Sequence, residues 1–204
     1  ERPGGDANVA RNAAALGARV TLLALVGNDE PGESLRRLMK EGGIDASLHV
    51  DDAVSTTVKL RVIGRQQQLL RIDFETQPSH EVLRAKLSEF EQRLPNCDAV
   101  VFSDYGKGGL THISEMIALA RAAGKTVLVD PKGDDYSIYA EAMIITPNRS
   151  EMREVVGLWK DEADLERKAT ALRTELALDA LLVTRSEEGM SLFHAGGAIH
   201  EKAV

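Results

Sequence analysis

The chain has 204 residues, of which 43% are hydrophobic and 28% charged, and its formal net charge is −7. That acidic balance argues against a nucleic-acid or anionic-membrane partner, and an anionic small substrate would need a local basic pocket. Cys97 is the single cysteine, which excludes an intrachain disulfide and a multi-cysteine metal site and suits a reducing, cytoplasmic compartment. No apolar stretch approaches the roughly 18 residues of a membrane span.

Gly4-Gly5-Asp6 leads into an Ala-rich segment, which predicts a helix over about 7–17 that Gly17 stops. A Gly pair before a helix offers backbone N–H groups and a positive helix end to a ligand, and Asn8 one turn in can meet a sugar hydroxyl. A tight turn with a helix cap explains the same residues. Val20 to Val26 reads as a strand, followed by Gly27-Asn28-Asp29-Glu30-Pro31-Gly32 and a helix near 32–41.

Residues 56–75 change period. Val58, Leu60 and Val62 alternate with Lys59 and Arg61, and Leu70, Ile72 and Phe74 alternate with Arg71, Asp73 and Glu75. This predicts a two-stranded ribbon with one apolar and one charged face, turning near Gly64 to Gln68. A lone hairpin is marginal, so its apolar face is expected to cover something. A small β lid packed against a second subunit, in a homodimer, is the expectation. Lys59, Arg61, Arg65 and Arg71 form a cationic set in an acidic protein, suited either to phosphate or to a solvated face.

From about residue 79 helices and short apolar runs alternate, as in a mostly parallel α/β sheet with crossover helices. Helix 79–94 precedes strand 98–102, helix 111–123, strand 126–129, a short helix near 135–141 and strand 143–146. Helices near 149–157 and 161–176 then lead to strand 180–184 and a final hairpin around Gly196-Gly197. Four of the strands end in polar segments: Ser103-Asp104-Tyr105-Gly106-Lys107, Asp130-Pro131-Lys132-Gly133, Thr146-Pro147-Asn148-Arg149-Ser150-Glu151 and Thr184-Arg185-Ser186. Open α/β sheets bind ligands at those carboxyl ends.

Asp104 can fix hydroxyls, while Lys107 and Lys132 can meet phosphates. Asn148 and Glu151, three residues apart, share one face of a helix's first turn. They read either as a capping box or as a carboxylate reaching the water shell of Mg²⁺. Thr184 and Gly189 form a possible nucleotide wall. His49, His80, His112, His194 and His200 lack metal-ligand spacing and carry no assigned role.

These pieces, in this order, resemble the ribokinase/PfkB family of carbohydrate kinases. Gly4-Gly5-Asp6-Ala7-Asn8 is similar to its N-terminal Gly-Gly signature, Val26-Gly27-Asn28-Asp29 with Gly32 to its V-G-x-D-x-x-G segment, and Asn148-x-x-Glu151 to its N-x-x-E motif. Lys59 to Glu75 and Ser103 to Gly108 are most like the heptose 7-phosphate kinase group within it. Asp6 departs from the pattern, where a small residue is expected. A second carboxylate there could repel a phosphorylated sugar if it faces the pocket.

The resemblance implies a ribokinase-like α/β fold and transfer of the ATP γ-phosphate to the anomeric hydroxyl of D-glycero-β-D-manno-heptose 7-phosphate. The product would be the 1,7-bisphosphate used for ADP-heptose and lipopolysaccharide core synthesis. It implies that Gly4, Gly5, Asn8, Lys59, Arg61, Asp104 and Lys107 face the sugar phosphate. Lys132, Asn148, Arg149, Ser150, Glu151 and Thr184 would face ATP, with Glu151 organising Mg²⁺ through water. The family's base is an Asp in a G-A-G-D motif, which these residues lack. Residues 1–204 are therefore expected to be an incomplete kinase domain, inactive alone, with the first strand before Glu1 and the base beyond Val204. Another sugar kinase of the same fold, or a catalytically silent sugar-phosphate binding module, fits the same residues.

Overall fold

The computed structural model describes residues 2–65, 67–76, 78, 80–106 and 110–203. It divides into two compact units, Glu1–Lys86 and Leu87–Val204.

The first unit opens with helix α1, Gly5–Ala15, and strand β1, Thr21–Gly27. Helix α2, Glu30–Glu41, crosses over to β2, Asp45–Asp51, which pairs parallel with β1 from Thr21 opposite Asp45 to Gly27 opposite Asp51. Strand β2 has no counterpart in the sequence expectations, because Asp45 to Asp51 mixes charged and apolar residues without a clean period. Small residues on α1 let its backbone approach β1. Ala7 and Ala10 pack with Leu22, Val26, Met39, Ile44 and Leu48 into one buried cluster. Helix α2 starts as its sequence requires, with Asp29 as N-cap accepting from the Gly32 N–H at 2.9 Å and Pro31 in the first turn.

The ribbon forms as expected. Strand β3, Val58–Gly64, pairs antiparallel with β4, Gln67–Phe74. Val58 lies opposite Phe74, Leu60 opposite Ile72 and Val62 opposite Leu70, so one face is apolar throughout. The register slips between Val62 and Ile63, which places Ile63 opposite Gln68 and leaves Leu69 outside the pairing. Gln66, at the turn, lies outside the described residues. Helix α3, His80–Arg93, contains the division between the units.

In the second unit, strands β5 (Ala99–Ser103), β6 (Thr126–Asp130), β7 (Ile144–Ile145) and β8 (Ala180–Thr184) run parallel. Strands β9 (Met190–His194) and β10 (Gly197–Glu201) add antiparallel at one edge, giving the order β10-β9-β8-β7-β6-β5. Helices α4 (Ile113–Ala122), α5 (Arg149–Val156) and α6 (Glu162–Glu175) accompany them. Phe102, Val127, Val129, Ile145, Leu181, Val183 and Phe193 are buried strand residues. Strand β7 is shorter than the expected run 143–146, although Met143 and Thr146 still donate to the Val127 and Val129 carbonyls at 2.9 Å; just beyond, Pro147 has no N–H to extend the ladder. The short helix expected near 135–141 is a single 3₁₀ turn, Tyr136–Tyr139. Asp135 caps it, accepting from the Ser137 N–H at 2.9 Å. No helix among the described residues is long and apolar enough to cross a membrane.

Candidate functional site

In the first unit, Gly4 is the N-cap of α1, extended at φ −117°, and provides no side-chain cap. Among the described residues a Cβ there would meet nothing within 4 Å, so neither its backbone nor packing against them requires glycine at this position. Gly5 does need its freedom, at φ +52°. Asn8 is exposed on α1. Asp6 sits in the helix's first turn, where a carboxylate suits the dipole.

Lys59 and Arg61 share one face of β3, opposite Asp73 and Arg71. Arg71 is neutralised along its own strand, donating to Asp73 through Nε at 2.8 Å and a terminal nitrogen at 2.6 Å. These bonds and the Asp73 charge raise the Arg71 pKa. Arg61 forms no ion pair among the described residues. The cationic set therefore contains one internally paired arginine as well as Arg61.

In the second unit each remaining described candidate lies at or just after a strand's carboxyl end. Asp104 follows β5, and its backbone N–H donates to the Asp130 carbonyl at 2.9 Å. Its Oδ1 accepts from the Gly106 N–H at 2.7 Å, and its Oδ2 accepts from the Tyr139 hydroxyl at 2.7 Å. Lys107 lies outside the described residues. Lys132 follows β6, and its ammonium donates to Glu151 Oε1 at 3.1 Å. The hydrogen bond and charge of Glu151 raise the Lys132 pKa.

Asn148 and Glu151 close a full capping box on α5. Asn148 Oδ1 accepts from the N–H groups of Ser150 at 2.8 Å and Glu151 at 3.1 Å, while Glu151 Oε2 accepts from the Asn148 N–H at 3.0 Å. The box engages one oxygen of Glu151 and leaves the other for Lys132. Glu151 as a whole is 9% exposed, so α5's start and the lysine together hold a buried carboxylate in place. Ser150 contributes its N–H to the cap. Thr184 is exposed at the end of β8, with its N–H donating to the Pro147 carbonyl at 3.0 Å and a bridge to Asn148.

Arg149 pairs with Glu188 and lies with its guanidinium 5.9 Å from the Trp159 ring centre. Glu188 also accepts from Arg185, at 2.5 Å. Arg185, 7% exposed, holds Glu162 through two bonds at 2.7 and 2.5 Å and donates to Ser191 Oγ at 3.0 Å. Gly189 has a structural explanation, since a Cβ there would collide with the Glu201 carbonyl and φ is +90°.

Sequence reasoning missed three participants. Tyr139 is a buried partner of Asp104. Asp130 has a raised pKa, because burial and then the nearby Glu151 charge disfavour its ionised form. Arg185 is the centre of an ion-pair network. Tyr136 and Tyr139, three apart, share one side of a 3₁₀ turn, with rings edge-to-face at 5.6 Å. That spacing was the available signal. A cavity of about 380 Å³ lies elsewhere, between Asp134–Ser137 and residues of α6, and contains none of the candidates.

The family model for pfkB family carbohydrate kinases matches residues 1–204. The chain belongs to this family. Among curated relatives, the D-beta-D-heptose 7-phosphate kinase of Bordetella bronchiseptica is 51% identical over 207 residues, covering 98% of this chain and 66% of that protein. The bifunctional protein HldE of Methylococcus capsulatus is 49% identical over 201 residues, covering 98% of this chain and 42% of that protein. The chain thus spans slightly less than two thirds of the first relative and about two fifths of the second.

Solved structures show that the pfkB chain has the ribokinase-like α/β fold. Phosphofructokinase-2 of Escherichia coli in complex with fructose-6-phosphate superposes with a TM-score of 0.80 at 18% identity, covering 100% of this chain and 69% of that one. The ribokinase of Arabidopsis thaliana, complexed with ribose and ATP, gives 0.76 at 17%, covering 98% and 67%. The expected fold, a mostly parallel sheet with a small antiparallel hairpin, is the one observed.

Proposed function

We propose that the chain forms part of a sugar kinase that transfers the γ-phosphate of Mg-ATP to the anomeric hydroxyl of D-glycero-β-D-manno-heptose 7-phosphate, giving the 1,7-bisphosphate. The observation that carries this reading is the 51% identity to a heptose 7-phosphate kinase across 98% of the chain.

Phosphoryl transfer depends on positioning and charge neutralisation more than on covalent help from the protein. Asp104 suits a sugar ligand. Two of its lone pairs are engaged by Gly106 and Tyr139, and an ionised carboxylate has further acceptor capacity for hydroxyls. Lys59, Arg61 and Lys107 would answer the sugar's phosphate, and Gly4, Gly5 and Asn8 would admit and bind its hydroxyls. Gly4 is consistent with close ligand approach, because nothing among the described residues requires a glycine there. Lys132, Arg149, Ser150 and Thr184 would bind the nucleotide.

Glu151 fits a metal held through water. Both its oxygens already accept hydrogen bonds, and no group of three ligating side chains occurs among the described residues. Magnesium commonly keeps several waters and takes its remaining ligands from one or two carboxylates and substrate phosphates. Bound there, it would neutralise charge on the transferring phosphate. Asn148 and Lys132 hold Glu151 in position. No G-A-G-D motif occurs in these residues, so the reading assigns no catalytic base among them and uses them for binding and positioning.

The reading extends to a cytoplasmic homodimer joined through the hairpin, whose face of Leu60, Val62, Leu70, Ile72 and Phe74 is 37–52% exposed. The deciding experiment assays the complete protein for ADP release with Mg-ATP and a panel of sugar 7- and 6-phosphates. Preference for the heptose phosphate is expected. Equal or better turnover of another sugar phosphate would overturn the substrate.

A further inference from the structure

Tyr139 lies between β6 and β7, wholly buried at 0% exposure, and its hydroxyl has three polar neighbours. The Lys132 N–H donates to it at 3.0 Å, and its own single proton lies between Asp104 Oδ2 at 2.7 Å and the Lys132 carbonyl at 2.9 Å. The carboxylate is the shorter and charged acceptor, so it is the stronger partner. Burial keeps the phenol protonated, as does its bond to Asp104, and its pKa lies above the ordinary range. One oxygen atom therefore joins the loop after β5 to the loop after β6.

The turn that carries Tyr139 is fixed from outside. Ser114 Oγ donates to the Ile138 carbonyl at 2.9 Å, and the Glu141 N–H donates to the Leu176 carbonyl at 2.7 Å. Arg121 donates to the Glu141 carbonyl at 2.7 Å. The hydroxyl is thus held by α4 and the end of α6, and it transmits that position to both loops. Through Lys132 the connection continues to Glu151 Oε1 at 3.1 Å and from Glu151 Oε2 to the Asn148 N–H at 3.0 Å.

We infer that Tyr139 is a positioning residue that sets Asp104, the sugar-side carboxylate, at a fixed distance from Lys132 and Glu151, the nucleotide side. This rests on the kinase reading above. In-line transfer is sensitive to displacements of about 1 Å between reacting groups. The sheet joins the two strand ends through backbone, with the Asp104 N–H donating to the Asp130 carbonyl at 2.9 Å, and the Tyr139 hydroxyl adds a bond to the Asp104 side chain itself. A purely structural tyrosine would need packing and any one hydrogen-bond partner. This one bonds the Asp104 carboxylate on one side and the backbone N–H and carbonyl of Lys132 on the other.

The test uses the complete protein. Tyr139→Phe keeps the ring and removes the hydroxyl. Its kcat should fall about 10- to 100-fold per folded enzyme, with the KM for ATP changed by less than about twofold, since no atom touching the nucleotide is removed. In a cycle with Asp104→Ala, the double variant should lose little more than the worse single variant, because both changes break one tether. An unchanged kcat, or losses that multiply, would overturn the role. If Tyr139→Phe does not fold, wild-type protein labelled with [¹³Cζ]tyrosine gives the second reading. Residues 1–204 hold only three tyrosines, and the Tyr139 resonance should shift on adding sugar phosphate and again in Asp104→Ala. A resonance indifferent to both would sink the inference. Wild-type protein inactive on every sugar phosphate would remove the kinase reading and Tyr139's role with it, whereas active wild type with an unaffected Tyr139→Phe would remove only the latter.

Discussion

Asp29 grips Thr56 twice, accepting from its hydroxyl at 2.6 Å and from its backbone N–H at 2.8 Å across 27 residues of chain. The same hydroxyl accepts from the Gly27 N–H at 2.8 Å, and the same carboxylate caps α2. A Cβ on Gly27 would strike the Val54 carbonyl, and one on Gly32 would come 2.6 Å from the Gly27 carbonyl. The V-G-x-D-x-x-G segment is therefore a knot that anchors the entrance of the hairpin to the end of β1. Asp29→Ala should cost about 1–2 kcal/mol, from a lost cap and a stranded Thr56.

The knot also has a pH signature. Burial alone would raise the Asp29 pKa, but the bonds from Thr56 and Gly32 outweigh it and place it below the ordinary 3.8. Its contribution is thus fully present above that value and is lost as pH falls through the lower folded one. Asp29→Asn should flatten this acid limb, measured as urea-unfolding stability against pH. An unchanged limb would show that other carboxylates control it.

Glu151→Gln separates capping from nucleotide chemistry. The amide can still accept from Asn148, so stability should change by less than about 1 kcal/mol, while the charge that meets Lys132 disappears. In the complete protein kcat/KM for ATP should fall about 10- to 100-fold. Asn148→Ala should instead cost about 1 kcal/mol of stability through the cap. A Glu151→Gln variant with a lowered Tm and normal ATP use would reduce the pair to a helix start.

The geometry of the candidate site was legible where local structure itself demands the residue. Asn148 and Glu151 are visible because a capping box has fixed spacing, and Asp104 and Lys132 because polar residues after short apolar runs mark strand ends. Period-2 alternation revealed the hairpin. Tyr139 was not legible, because its partners lie 35 and 7 residues away, and only the sheet order makes β5 and β6 neighbours. Strand β2 was missed for a related reason. Its burial comes from β1 and α2, which no alternation within Asp45–Asp51 announces.

Arg185 should be a stability residue. Its guanidinium is buried between Glu162, Glu188 and Ser191, and hydrogen bonds from Arg185 hold both glutamates below the ordinary carboxylate range. Glu162 keeps considerable solvent access, which screens the pair, so Arg185→Leu should cost about 1–3 kcal/mol. The glutamates' contribution is present above their ordinary 4.5 and lost as pH falls below it. Chemical denaturation at pH 7 and pH 4 should therefore show a smaller penalty at the lower pH. A penalty equal at both would assign the loss to packing alone.

The hairpin makes the most exposed prediction. Leu60 faces Ile72 and Val62 faces Leu70, forming an apolar stripe on a two-stranded ribbon, an arrangement that rarely persists in water without cover. Covered by a second copy, the stripe would hold two chains together, and charges placed in it would separate them. Leu60→Glu with Ile72→Lys puts opposite charges on facing positions, so the ribbon can keep its own register while losing its apolar face. Sedimentation equilibrium of the complete protein should then change from dimer to monomer, with far-ultraviolet circular dichroism unchanged. A wild-type protein that is monomeric at every concentration would leave the stripe to some other cover, and the homodimer reading would fail.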